Sequence, residues 1–198
     1  TRRMARLNDK RLAGPVRKLV AVANTGPMIS AFQAEAEDLL AALFTRIYVP
    51  PSAVSEYERH NAVAQFNALA RAKLIALQLL TADEADESHR VARAIAESRY
   101  SRDPVAANHL ADAEAIVLSQ RPSLAADYVL LDERAARYVA EERGIALMGF
   151  LGILLRAHDH GLVDAERVEN ALRQCQRMGT HYSDRLVEQA LAEIRGDP

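Results

Sequence analysis

Short apolar runs and longer amphipathic stretches alternate along the chain. Leu19 to Ala23 is apolar and valine-containing, and the polar turn Asn24-Thr25-Gly26-Pro27 closes it, which predicts a buried strand followed by a helix start. Glu37 to Phe44 has helical apolar spacing and leads into Ile47-Tyr48-Val49, a second strand ended by Pro50-Pro51. Proline suits the first turn of a helix, so Pro51 to Glu58 predicts a new one. Ala62 to Lys73 is helical by composition. Leu74 to Leu80 is apolar enough for a third strand, although periodicity alone does not separate it from buried helix. Two alanine-rich helices follow, Asp83 to Tyr100 and His109 to Ser119, with the turn-forming Ser101-Arg102-Asp103-Pro104 between them. Tyr128 to Leu131 predicts a fourth strand that runs into Asp132-Glu133, then a helix from Arg134 to Arg143 that stops at Gly144. Ile145 to Met148 is a fifth strand. The remainder to Ile194 is helical, with breaks at Gly161 and Gly179-Thr180.

Strands that alternate with helices predict parallel strands joined by crossovers. The expected fold is α/β, a three-layer α/β/α sandwich around a mainly parallel sheet, with extra C-terminal helices. The 198 residues suit one domain. It is placed at 19–198, since no repeat, low-complexity tract or flexible linker interrupts that span. Residues 1–18 form a basic arm (Arg2, Arg3, Arg6, Lys10, Arg11, Arg17, Lys18), read either as a contact to RNA backbone or as a solvated, non-native extension.

Apolar residues make up 49% and charged residues 26%, an ordinary globular balance. The formal charge of -2 lacks the strongly basic signature of proteins that hold long nucleic acid by phosphate neutralisation. Any nucleic-acid binding therefore needs a local basic patch or a metal. No run approaches the roughly 20 apolar residues of a membrane span, so no membrane partner is expected. The single Cys175 can form no internal disulfide, and it reads as a buried, reduced thiol in a cytoplasmic protein.

In an open parallel sheet, ligands bind beyond the carboxyl ends of the strands. Asn24 closes the first strand and Asp132 the fourth. Glu56 lies on the helix after the second strand, and Asp112 and Glu114 lie near the start of the helix at Leu110. Asp112 and Glu114 are two residues apart on a helix and face apart, so one of them is expected in the crevice with Asp132. Oxygen donors converging from four segments need neutralising, and hard Mg²⁺ or Mn²⁺ is the usual solution. Such an ion activates water and stabilises charge on a phosphate under attack, as in metal-assisted nucleases.

Five segments in order carry a resemblance. Ala23-Asn24-Thr25-Gly26-Pro27-Met28-Ile29 resembles "(D/N)TSPLI", and Tyr48 to Val54 with Glu56 resembles "IPPAVYEE". Ala111 to Ile116 resembles "GEAEAI", Leu130 to Arg137 resembles "LLDDRKAR", and Gly149 to Leu155 resembles "GTLGVLL". Together, from Val20 to about Leu191, they look like the PIN-like family of predicted nucleic-acid-binding proteins, relatives of VapC-type toxins. The resemblance implies an endoribonuclease that uses Mg²⁺ or Mn²⁺, with RNA as substrate and a small antitoxin protein as partner. It puts Asn24 in the place of the first acidic residue, Glu56 in the second, Asp112 or Glu114 in the third and Asp132 in the fourth, with Glu133 an outlying fifth. Three departures bear on activity: Asn24 is an amide where nucleases of this kind carry Asp, Phe150 replaces a Thr, and Ala111 replaces a Gly. A catalytically weak or inactive module that binds nucleic acid or protein is the alternative these changes allow.

The other conspicuous residues have plainer readings. Thr25 is a capping residue or a contact near the metal site. Arg134 and Arg137 meet RNA phosphate or pair with Glu141. His158-Asp159-His160 reads as a solvated helix end rather than a Zn²⁺ or Ni²⁺ site, because no third ligand of matching type lies nearby. None of His60, His89, His109 and His181 is expected to act as a general base. Gly149 to Gly152 is too short for a dinucleotide fingerprint. A flavodoxin-like phosphate loop is disfavoured because Pro27 lacks an amide donor. A homodimer is expected, with the helix Asp83 to Tyr100 as a candidate surface.

Overall fold

A computed structural model describes residues 16–180 and 182–195. Five parallel strands form one sheet: β1 (Leu19–Ala23), β2 (Phe44–Val49), β3 (Ile75–Leu77), β4 (Tyr128–Leu130) and β5 (Leu147–Met148), in the order β3-β2-β1-β4-β5. The helices α1 (Thr25–Gln33) and α2 (Glu37–Leu43) join β1 to β2, and α3 (Pro51–Arg59) and α4 (Val63–Arg71) join β2 to β3. The long return from β3 to β4 carries α5 (Ala82–Glu97) and α6 (Leu110–Ser119), and α7 (Arg134–Glu142) leads to β5. Then α8 (Phe150–Asp159), α9 (Ala165–Arg177) and α10 (Asp184–Arg195) complete the described chain.

Alternation along the strands sorts the core into two layers. Ala21, Ala23, Ile47, Val49, Leu130 and Met148 face one side and pack with residues of α1 to α4 and α8 to α10. Val22, Val129 and Leu131 face the other side and pack against α5, α6 and α7. The expected three-layer α/β/α sandwich, with added C-terminal helices, is the observed fold. The chain builds outward from β1 to β3 on one side and then from β4 to β5 on the other. The strand order therefore reverses between β1 and β4, and the carboxyl ends of these neighbours open a crevice.

Element edges depart from expectation in instructive places. The third strand is Ile75–Leu77 alone. Its only partner in the sheet is β2, and after Gln78 donates its N–H to Val49 O the chain leaves the sheet, with Leu77 52% and Leu79 66% exposed. Apolar character there reflects an edge, not burial. The helix expected to reach Tyr100 ends at Glu97, with Ser98 already extended; its start is set by a capping box in which Thr81 and Glu84 exchange hydrogen bonds. The fifth strand keeps only Leu147 and Met148 of the expected four residues. Most of the basic arm lies outside the described residues. Within it, Arg17 pairs with Asp127 at 2.6 Å and Lys18 donates to Ala41 O at 2.7 Å, so these two cations bind the domain itself.

Candidate functional site

Asn24 follows the last residue of β1 and occupies the N-cap position of α1. Its side chain does not cap that helix. The buried amide Nδ2 donates to Oδ1 of Asp112, and its Oδ1 accepts the Thr25 hydroxyl at 3.2 Å. Asp112 sits in the first turn of α6, where the helix dipole favours a negative charge. Even so, its carboxyl is pushed up to about 7, first by burial and then by the negative charges of Glu133 and Glu56, against the donation from Asn24. Asn24 and Asp112 thus meet directly, while Glu56 from α3 and Glu133 at the N-cap of α7 lie near enough for their charge to act on Asp112.

The choice left open between Asp112 and Glu114 resolves by helix geometry. Asp112 is the buried member facing Asn24. Glu114 instead accepts the Ser52 N–H at 3.1 Å through Oε2. This bond supplies an acceptor to the first turn of α3, which its own N-cap Pro50 cannot do. Because Ser52 and Glu56 are one turn apart on that helix, Glu114 holds the element that presents Glu56.

Asp132 is not among the charges that raise Asp112. Its Oδ1 accepts the Phe150 N–H at 3.0 Å and its Oδ2 lies 3.4 Å from the Tyr182 hydroxyl. Gly149, the N-cap of α8, has no side chain to offer, so Asp132 provides the missing cap from the end of β4. A Cβ at Gly149 would run into that carboxylate. Burial raises the Asp132 pKa, and the Phe150 N–H, Arg137 and Tyr182 oppose the rise. Its neighbour Glu133, expected only as an outlying fifth candidate, caps α7 through Oε2 by accepting the Ala136 N–H at 2.6 Å, and its charge reaches Asp112. The sequence signal for this was the start of a helix at Arg134, which makes Glu133 its N-cap.

Arg137, expected at RNA phosphate or Glu141, turns inward and donates to Leu131 O at 2.8 Å beside Asp132. Arg134 is exposed and lies over the Tyr100 ring, its Cζ 4.2 Å from the centroid. Neither arginine pairs with Glu141 among the described residues. Thr25 is buried against Asn24. Cys175 is buried as expected; its thiol donates to Ser30 O at 3.3 Å and is pushed up to about 12 by burial and by Asp132, far from the thiolate that nucleophilic chemistry requires. His158 and His160 end α8, and neither is more than half exposed. His109 is buried and bonds Asp103 O at 2.9 Å; His181 lies outside the described residues.

The donors gathered around Asp112 are all hard oxygens, apart from the Asn24 amide nitrogen, which the Asp112 carboxylate engages. That set suits Mg²⁺ or Mn²⁺, ions that take one or two carboxylates and complete their shell with water. Among the described residues, no group of three or more His, Cys, Asp or Glu side chains is close enough to enclose a cation by itself. No described helix is long and apolar enough to cross a membrane.

Among curated proteins, no relative matches the chain. A family model, that of the PIN domain type DUF3368, matches residues 20–195, nearly the whole described chain and every residue of the crevice. PIN domains are commonly nucleases that use divalent metals. The five-stranded parallel sheet, the reversal between β1 and β4 and the acidic residues gathered there agree with that match, and the chain belongs to the PIN domain family.

Proposed function

We propose that the protein is a metal-dependent endoribonuclease, with Asp112 as the carboxylate that would hold Mg²⁺ or Mn²⁺ together with water, Glu56 and Glu133 supplying negative charge around it and Asn24 Oδ1 a neutral donor. The observation that carries this reading is the Asp112 carboxyl, held by Asn24 at the crevice where the strand order reverses and raised to about 7 first by burial and then by two acidic neighbours. A hard cation there supplies Lewis acidity, lowering the pKa of water and neutralising charge on a phosphodiester under attack. The chain's own residues do the rest. Glu114 holds α3 so that Glu56 faces the crevice. Asn24 orients Asp112, and Thr25 fixes the Asn24 amide so that its oxygen and nitrogen keep their roles. The toxin role, the small antitoxin partner, the cytoplasmic setting and the homodimer rest on the resemblance to VapC-type proteins and on composition.

The test is cleavage of a labelled RNA by EDTA-stripped protein, with Mn²⁺ or Mg²⁺ restored, alongside Asp112→Asn. Metal-dependent cleavage that the variant loses is the expected result. Saturable Mn²⁺ binding without cleavage of any RNA would favour the second reading, a PIN domain that binds without cutting. One feature of the site favours that second reading: the Asn24 amide occupies one oxygen of Asp112 and brings no charge of its own. Asn24→Asp separates the two, because a scaffold poised for catalysis gains metal affinity and rate from the added carboxylate.

A further inference from the structure

Next to the acidic crevice lies a cationic aromatic cluster with no carboxylate partner among the described residues. Tyr100 follows the end of α5, and its ring meets that of Tyr138 on α7 edge-on, the centroids 5.0 Å apart. The Arg99 guanidinium lies 4.8 Å from the Tyr100 centroid and 5.5 Å from that of Tyr138, and Arg134 lies 4.2 Å from Tyr100. Both arginines are exposed, both tyrosines are half-buried, and Arg134 directly follows Glu133. Among the described residues neither arginine makes a hydrogen bond or an ion pair. Arg90, Arg121, Arg143, Arg167, Arg173 and Arg195, by contrast, all pair with carboxylates.

The segment that bears Tyr100 is tied down toward the site. Asp103 Oδ1 accepts the Val105 N–H at 2.9 Å, its Oδ2 accepts Asn108 Nδ2 at 2.7 Å, and buried His109 meets its carbonyl. His109 is the N-cap of α6, the helix that carries Asp112. The cluster is thus fixed to the same helix as the central carboxyl and to the cap residue of α7.

We propose, building on the nuclease reading above, that Arg99, Tyr100, Arg134 and Tyr138 form a platform that holds single-stranded RNA beside the acidic crevice. A guanidinium laid over a ring keeps its N–H edge free for bidentate contact with phosphate. The outer guanidinium planes, held in place by the rings beneath them, offer stacking to an unpaired base. Duplex RNA keeps its bases stacked inside, so it meets only the N–H edges. With a formal net charge of -2 on the whole chain, affinity must come from a local patch of this kind. Because the platform offers stacking and phosphate contacts but no rigid base-edge donors, it selects strandedness over sequence.

The experiment is fluorescence anisotropy of the full chain in EDTA, with a labelled, mixed-sequence single-stranded RNA of about 12 nucleotides titrated at several KCl concentrations. Arg99→Ala and Arg134→Ala are each expected to weaken binding by about three- to tenfold and to lower the salt slope by about 0.7. Tyr100→Leu is expected to weaken binding about fivefold or more with the slope unchanged, and the same sequence as a duplex to bind about tenfold more weakly. Arg71→Ala is the control, since exposed Arg71 ends α4 just before β3 and so lies at the opposite edge of the sheet. Circular dichroism melts check that each variant folds. Binding equal to wild type in the arginine and tyrosine variants overturns the proposal. So does an equal loss in Arg71→Ala, or a platform that binds an acidic peptide and no RNA. Binding in EDTA reads the platform alone and cleavage with Mn²⁺ restored reads the acidic crevice, so a failure of cleavage and a failure of the platform give different results.

Discussion

Replacing Asp112 with asparagine is expected to make the metal-free protein more stable while removing its capacity for metal. The carboxyl rises from its ordinary 3.8 to about 7 on folding, through burial and the charges of Glu133 and Glu56. At about 1.4 kcal/mol per pH unit, that rise costs about 4 kcal/mol once the group is fully ionised. The sign follows from the raised pKa: stability is intact below about pH 4 and is lost as pH climbs through about 7. Asparagine keeps an oxygen to accept the Asn24 Nδ2 donation and has no proton to lose. The stability gap between variant and wild type should therefore widen from near zero at pH 3, through about 1.5 kcal/mol at pH 5, to about 4 kcal/mol at pH 8. Urea unfolding in EDTA at those three pH values measures it. Excess Mn²⁺ then narrows the gap at pH 8 to about 1.3 kcal/mol, since a ligand at about 100 times its Kd adds about 2.7 kcal/mol to a fold that binds it and nothing to one that does not. A gap that stays flat with pH, or a variant less stable than wild type at pH 8, would refute the account of Asp112 as a buried charge awaiting a cation.

Adjacent acidic residues should separate cleanly by titration calorimetry: Glu133→Gln weakens Mn²⁺ binding about tenfold while still capping α7, and Asp132→Asn changes it by less than about threefold. Gly149→Ala is expected to cost about 1 to 3 kcal/mol in thermal denaturation, because its Cβ meets Asp132 Oδ1, with Arg137 Nη1 at 3.2 Å and Leu131 O at 3.3 Å behind it. With φ at -96°, the backbone there accepts alanine, so any loss is steric. Tyr57→Phe should raise stability by about 1 kcal/mol, since the buried hydroxyl has no partner among the described residues and the ring keeps its contacts with Phe32 and Phe66.

The layers and the crevice were legible from local pattern because they depend on local pattern. Leu19 to Ala23 with its polar turn, and Tyr128 to Leu131 before Asp132, mark strand ends, and strand ends place Asn24 and the Asp132-Glu133 pair in one crevice once the sheet is parallel. Which of Asp132 and Glu133 enters the crevice was not legible. Neighbouring residues at a strand-to-helix junction point apart, and the choice is made by α8, whose N-cap Gly149 needs an acceptor that only Asp132 reaches. The same holds for Glu114, whose acid-rich segment suggested a ligand and whose partner, the Ser52 amide, lies 62 residues away in sequence. Arg137 was drawn inward by a carbonyl of its own strand end. Asp132 and Glu114 are thus charged side chains near the crevice that serve helix termini instead. Three helices, α3, α7 and α8, bring their orphan N–H groups here, and each takes an acceptor before a carboxylate is free for a cation. Asp132 and Glu114 meet that need at α8 and α3, and Glu133 meets it at α7 with one oxygen. Asp112 caps nothing; Asn24 engages one of its oxygens, and that is why the metal chemistry of this crevice centres on Asp112.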